Sequence, residues 1–271
     1  MKKTLIALAL ATAAAGAAAH ETFLKPTSFY VAPNSAVVVD LLNGTFDKSE
    51  NPVPRARMAD TSVMTGGKVT KPDAAQWSDT ATTSHLRLTT GAPGTYAIGL
   101  SSKPKLITLS AADFDAYLRH DGIADVLAAR TREGAAKTEV TERYSKHVRA
   151  VVQVGGTLTD DAAKPLGYPA EILLLDNPAT LKPGGTLRFR ALLRGEPLGG
   201  QLVYASSEGF HGHDAAAHAS KLKMRTAADG TGSLTVDRSG KWYLTFINMR
   251  KVSEPGIQYE SNWSTVTFAV R

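Results

Sequence analysis

Apolar and polar positions alternate with a period of two through most of the chain, the spacing of half-buried strands. Val37-Val38-Val39 stands between Pro33 and the turn pair Asn43-Gly44. His85-Leu86-Arg87-Leu88 leads through Gly91-Ala92-Pro93-Gly94 into Tyr96-Ala97-Ile98-Gly99-Leu100, which predicts strand, turn, strand. Residues 44–83 are polar and broken by Pro and Gly, so only short or irregular strands are expected there. Further on, Val148–Val154 ends at Gly155-Gly156, and Glu171–Leu175 is closed by Asp176-Asn177-Pro178. Leu187, Phe189, Ala191 and Leu193 then alternate with Arg188, Arg190 and Arg194. Strands are predicted at Gln201–Ala205, Leu222–Thr226, Ser233–Val236, Trp242–Met249 and Trp263–Val270, with a hairpin turn at Ala228-Asp229-Gly230-Thr231-Gly232. The period changes once. Phe114, Tyr117 and Leu118 fall at helical spacing behind Ser110, a suitable N-cap, and after Gly122 the spacing returns with Ile123, Val126 and Leu127. A third helical stretch is expected around Glu139–Lys146. The pattern predicts a mainly β protein of two antiparallel β-sandwich units. The units are residues 20–109 and 148–271, the second immunoglobulin- or transthyretin-like, joined by a helical insert at 110–147.

One apolar run does not fit a strand. Leu5–Ala15 follows Lys2 and Lys3 and gives way to Ala17-Ala18-Ala19, the order of a secretory signal and its cleavage site. It is too short to span a bilayer. Residues 1–19 are therefore expected to be removed, and the mature protein to reside in the periplasm.

Composition narrows the classes. The chain has 271 residues, 43% of them hydrophobic, and no cysteine, which excludes a disordered chain, a disulfide scaffold and thiolate-ligated metal centres. Thirty-one basic against 25 acidic residues give a net charge of +6. The basic residues are interspersed, as in Leu187-Arg188-Phe189-Arg190, which reads as a solvated strand face; nucleic acid is not expected as a partner.

Cleavage after Ala19 would make His20 the first residue. Its α-amine, with a pKa of roughly 7.7–8.0, loses its proton to a divalent metal near neutral pH, and its imidazole Nδ1 closes a chelate ring. One more imidazole would complete a three-nitrogen site suited to Cu(II), or to Ni(II) with added ligands. A second cluster, His211-Gly212-His213-Asp214 followed by His218, puts three of the seven histidines in one Gly/Ala-rich stretch. His20, His211, His213 and His218 are thus the candidate metal ligands. His85 opens a strand, His120 precedes Asp121-Gly122 at a helix end, and His147 is expected at the end of the third helix, against its dipole. The serine-hydrolase elbow, the phosphate-binding glycine loop, the zinc-protease His-Glu-x-x-His and the dinucleotide fingerprint are absent from the sequence. Asp229-Gly230-Thr231-Gly232 looks like an aspartic-protease motif but lies between two amphipathic strands, as a turn.

Six segments stand out in order: His20-Glu21-Thr22-Phe23-Leu24-Lys25-Pro26, Glu142-Arg143-Tyr144-Ser145-Lys146, Pro165-Leu166-Gly167, Asp176-Asn177-Pro178 with Leu181-Lys182-Pro183-Gly184, Gly240-Lys241-Trp242-Tyr243-Leu244 and Tyr259-Glu260-Ser261-Asn262-Trp263. Together they resemble a periplasmic family catalogued as a domain of unknown function and in part as the NikM-like component of nickel-uptake transporters. The resemblance implies a β-rich protein of transition-metal uptake or handling. The family often has His where this chain has Asn248, on the strand face of Trp242, Leu244 and Phe246. The expectation is a non-enzymatic binding protein for nickel, cobalt or copper, accessory to a membrane metal transporter. Its rivals are a non-metal interaction module of the cell envelope and a copper-dependent oxidative enzyme built on His20.

Overall fold

A computed structural model describes residues 21–134, 138–209 and 222–271. Nine strands precede two helices: β1 (Glu21–Pro26), β2 (Tyr30–Val31), β3 (Ala36–Gly44), β4 (Met58–Thr65), β5 (Lys68–Thr70), β6 (Trp77–Asp79), β7 (Ser84–Thr89), β8 (Gly94–Ser102) and β9 (Lys105–Leu109), then α1 (Ala111–His120) and α2 (Ala124–Arg132). Nine more follow: β10 (Val140–Val154), β11 (Ala170–Leu174), β12 (Thr186–Leu193), β13 (Glu196–Pro197), β14 (Leu202–Ser207), β15 (Leu222–Arg225), β16 (Thr231–Thr235), β17 (Gly240–Glu254) and β18 (Ile257–Val270). The protein is mainly β, as its alternation predicts.

The described strands form three sheets. A small antiparallel sheet has the order β1-β3-β7-β6, and another is built of β11 and β16 on either side of β12, with β13 also against β12. Between them runs a ten-stranded sheet, β15-β14-β17-β18-β10-β8-β4-β5, with β2 and β9 on opposite ends of β10. It is mixed. β10 and β18 lie parallel, so that Glu142 pairs with Tyr259, Tyr144 with Ser261 and Lys146 with Trp263.

Successive side chains of a strand point to opposite faces, and the central sheet buries both. Val148, Ala150 and Val152 enter a core with Leu24, Val39, Leu41 and Leu86 of the first sheet. Val151 enters the other core, with Leu244, Phe246, Val266 and Phe268 against Ile172, Leu187 and Phe189. The two sandwiches thus share β10 and sit on opposite faces of one sheet. Each large apolar side chain so buried contributes about 1.5–3 kcal/mol.

Three expectations are corrected. Residues 140–146 are strand, not a third helix: Glu142, Tyr144 and Lys146 occupy one face of β10, and the charged residues on that inward face hide the alternation that marks a strand. His147 consequently lies inside β10, 2% exposed, not at a helix end. The polar 44–83 segment carries an eight-residue strand, β4, which is stabilised by its ladder with β8 despite having only Val63 and Met64 as buried large apolar residues.

Candidate functional site

The first sheet covers only part of its face of the central sheet. The α1–α2 hairpin covers another part, and the two covers meet along a seam. Helix α1 starts where the Ser110 hydroxyl accepts the Asp113 amide at 3.1 Å, the capping that its sequence predicts. Its apolar stripe, Phe114, Tyr117 and Leu118, is buried. Phe114 packs on Tyr259 with ring centroids 5.0 Å apart, and Tyr117 stacks on Trp263 at 6.5 Å and 14°. The helix ends at His120, Asp121 caps it, and Gly122 turns the chain in the left-handed region at φ 69°.

Charged side chains are buried along this seam. Glu142 is 1% exposed, and burial, its largest influence, pushes its carboxyl up to about 7. Its Oε1 accepts from Tyr117 at 3.2 Å and from Ser261, whose Oγ also receives the indole N–H of Trp263 at 3.1 Å. Its Oε2 has no partner among the described residues. Lys146, two pairs along the same face, extends its ammonium over the Trp263 ring at 4.7 Å from the centroid. Burial brings its pKa down to about 8, against the opposing charges of Asp121, Glu21 and Glu142. Asp121 is 4% exposed, and burial raises its pKa although His120 Nδ1 lies 2.7 Å from Oδ1. Its Oδ2 also has no partner among the described residues.

Asp121 also lines a cavity of about 130 Å³ with Gln201, Tyr204 and Asn248. Strand β14 pairs β17 only from Trp242 to Thr245, so the edge at Ile247–Met249 is left to the 121–126 turn. Tyr204 donates to the Gly122 carbonyl at 2.6 Å, and Asn248 Nδ2 donates to Gln201 Oε1 at 3.0 Å. Asn248 therefore extends the face of Trp242, Leu244 and Phe246, as its spacing predicts, and ends it at a polar cavity. In low dielectric, carboxyl oxygens without a donor favour a proton, and a cation brought to them would compete with it.

His20, His211, His213 and His218 lie outside the described residues. The described residues that flank the 210–221 stretch contact β1 at Lys25. Glu21, Phe23 and Lys25 share one face of β1; Phe23 packs on Phe46 and Tyr243 with centroids 5.3 and 5.0 Å apart. Lys25 pairs with Glu208 at 2.7 Å, and the Gly209 amide donates to Asp47, which lies 3.6 Å from Lys25. Of the remaining histidines, His85 is half-buried with Nδ1 2.8 Å from Asp40 across β3 and β7. His147 is packed among Ser101 at 2.9 Å and Ser145 and Asn262 at 3.2 Å, and burial brings its pKa down to about 4. Among the described residues no group of three or more His, Asp or Glu could hold a metal ion.

Sequence reasoning by histidine missed Asp121, Glu142 and Lys146. A signal was present: two segments that carry the family resemblance, 142–146 and 259–263, are register partners on β10 and β18.

Fold and site together define a mainly β protein of two sandwiches on a shared sheet, with charged groups buried where its covers meet. The family model for a domain of unknown function, DUF4198, matches residues 17–250, and the chain belongs to that family. No curated protein matches it. Among solved structures, the D0-D1 domain of Intimin is 9% identical and covers 92% of this chain and 97% of its own, with a TM-score of 0.22. The Escherichia coli adhesin FdeC is 12% identical, covering 93% and 63% at a TM-score of 0.23. The chicken CNTN1 FN1-FN3 domains are 7% identical, covering 94% and 69% at a TM-score of 0.24.

Proposed function

We propose that the protein is a non-catalytic β-sandwich binding module of the cell envelope that takes a cationic ligand or a partner's cationic group at the seam. One observation carries this reading: Asp121 Oδ2 and Glu142 Oε2 are buried acceptors without partners among the described residues. Leaving such groups unmet costs about 1–3 kcal/mol each, a cost that a bound ligand relieves. The leader expected at 1–19 supports a periplasmic location for the module.

A divalent transition metal, nickel, cobalt or copper, is the second reading. It is favoured by the contact of Glu208 and Gly209, the described neighbours of the 210–221 stretch, with Lys25 and Asp47, which brings that stretch's flank to β1, the strand that follows residue 20. The ligands would be the amine and imidazole of His20 with His211, His213 or His218, and a membrane metal transporter would receive the ion.

Both readings are tested on the chain beginning at His20. Its melting temperature is measured with Ni(II), Co(II), Cu(II) and methylammonium, since a ligand bound only by the native state raises stability. The module reading expects a rise with at least one cation that Asp121→Asn reduces; no rise with any of them refutes it. The metal reading expects calorimetric affinity for Ni(II) or Cu(II) to fall at least about tenfold (~1.4 kcal/mol) when an alanine precedes His20. Unchanged affinity removes the amine from the ligand set and ends that reading.

A further inference from the structure

We propose that the N-terminal sandwich holds a second, independent site: a cavity for a single-chain amphiphilic anion of the long-chain carboxylate class. The first and central sheets part at one end and leave a cavity of about 680 Å³, within the roughly 300–1,000 Å³ range of small-molecule sites. Its walls are apolar cross-strand pairs. Val37 and Leu88 come from β3 and β7 on one side. Val63 and Ile98 come from β4 and β8 on the other, deepened by Tyr96 and Val152. These side chains offer no hydrogen bond to a polar ligand, apart from the Tyr96 hydroxyl, which already donates to the Ala92 carbonyl at 2.9 Å.

The charge at the mouth selects among apolar ligands. Two lysines line the cavity and no acidic residue does. Lys71 is committed to Asp60 and to Ser62 Oγ at 2.7 Å. Lys68 is exposed and has no ion-pair partner among the described residues. Its position is fixed, because the turn before it, Gly66-Gly67, is clamped: both amides donate to the buried Asp161 carboxylate, at 2.7 and 2.8 Å. Thr65 and Thr70 flank it at the rim. An apolar trough with one uncommitted ammonium at its mouth matches a hydrocarbon chain ending in an anion. A neutral chain would leave the ammonium unused, and a polar anion would leave the trough empty.

The test is displacement of a fluorescent dansylated fatty acid from the full mature chain by dodecanoate and by dodecanol, both below their aggregation limits. The proposal expects one saturable dodecanoate site and at least about tenfold weaker binding (~1.4 kcal/mol) of dodecanol. Lys68→Glu, an exposed change that leaves the melting temperature intact, should remove that preference. Leu88→Trp should fill the trough and abolish both; should it fail to fold, Thr70→Trp at the exposed rim should block entry instead. Absence of saturable binding by the native chain, equal affinity for acid and alcohol, or insensitivity to both Lys68→Glu and the tryptophan variant would each overturn it.

Discussion

Glu142 and His147 stand five residues apart on β10 and point to opposite faces, and burial drives both towards their neutral forms. Their contributions to stability therefore run in opposite directions with pH. The folded pKa of Glu142, about 7, exceeds its ordinary 4.5. Folding takes up a proton, and the stabilisation is complete below pH 4.5 and lost as pH rises through 7. The folded pKa of His147, about 4, lies below its ordinary 6.5. Its stabilisation is present above pH 6.5 and lost as pH falls through 4. A melting-temperature profile from pH 4 to 8 should show both limbs. Glu142→Gln, which keeps an acceptor for Ser261 and Tyr117, should flatten the alkaline limb, and His147→Gln the acid limb. Unchanged slopes in the variants would place the titrations elsewhere. Neither group was legible as buried. A charged residue at an inward position breaks the apolar alternation that identifies a strand, so the stretch before His147 reads as helix.

The elements that were legible are those whose interior positions are apolar and whose ends carry turn chemistry. Strands β8, β12, β17 and β18 and both helices lie where periodicity, Ser110 and Gly122 put them. β4 was not, because what holds it is remote. Gly66 and Gly67 adopt φ 56° and 73°, the left-handed pair of a tight hairpin turn. Asp161, ninety-odd residues away, receives both their amides, the Thr159 hydroxyl at 2.8 Å and Lys164. Burial works to raise the Asp161 pKa, but these donors outweigh it and hold it below the ordinary range. Asp161→Ala removes two charge-assisted bonds to the turn amides, and should cost about 1.5–3 kcal/mol in urea unfolding. Asp160→Ala, one residue earlier and exposed, removes an ion pair to the same Lys164 and should leave stability nearly unchanged. Equal effects would mean that the charge, not the clamp, matters. A weakened clamp should also loosen the hairpin that presents Lys68.

At the scale of the molecule, the sharing of β10 by two cores determines how the protein unfolds. Hydrophobic pattern shows which positions of a strand are buried but not which strands lie beside it, so the two sandwich units are legible in the sequence and the parallel β10–β18 pair that joins them is not. The cores are joined more tightly than by a linker. Ala150 faces one and Val151 the other. Arg149, between them and the parallel ladder, reaches the third sheet through a buried ion pair with Glu171 at 2.9 Å. Glu171 also receives the amides of Leu166, Gly167 and Tyr168 at 2.8–3.0 Å, so the family segment Pro165-Leu166-Gly167 is part of the same tie. Loss of either core would expose one face of β10 and leave its ladder half supported. Unfolding should therefore be a single calorimetric transition with equal van't Hoff and calorimetric enthalpies. Glu171→Ala, which strands a buried guanidinium, should lower that transition as a whole, at a cost of about 3–5 kcal/mol. If the sandwiches were independent, the variant would instead split the trace, with the transition of the N-terminal core unmoved and that of the C-terminal core shifted down. The same coupling connects the two proposed sites. The dodecanoate cavity lies in the N-terminal core, the seam lies over β10 and β18, and a ligand at either should raise the one melting temperature they share.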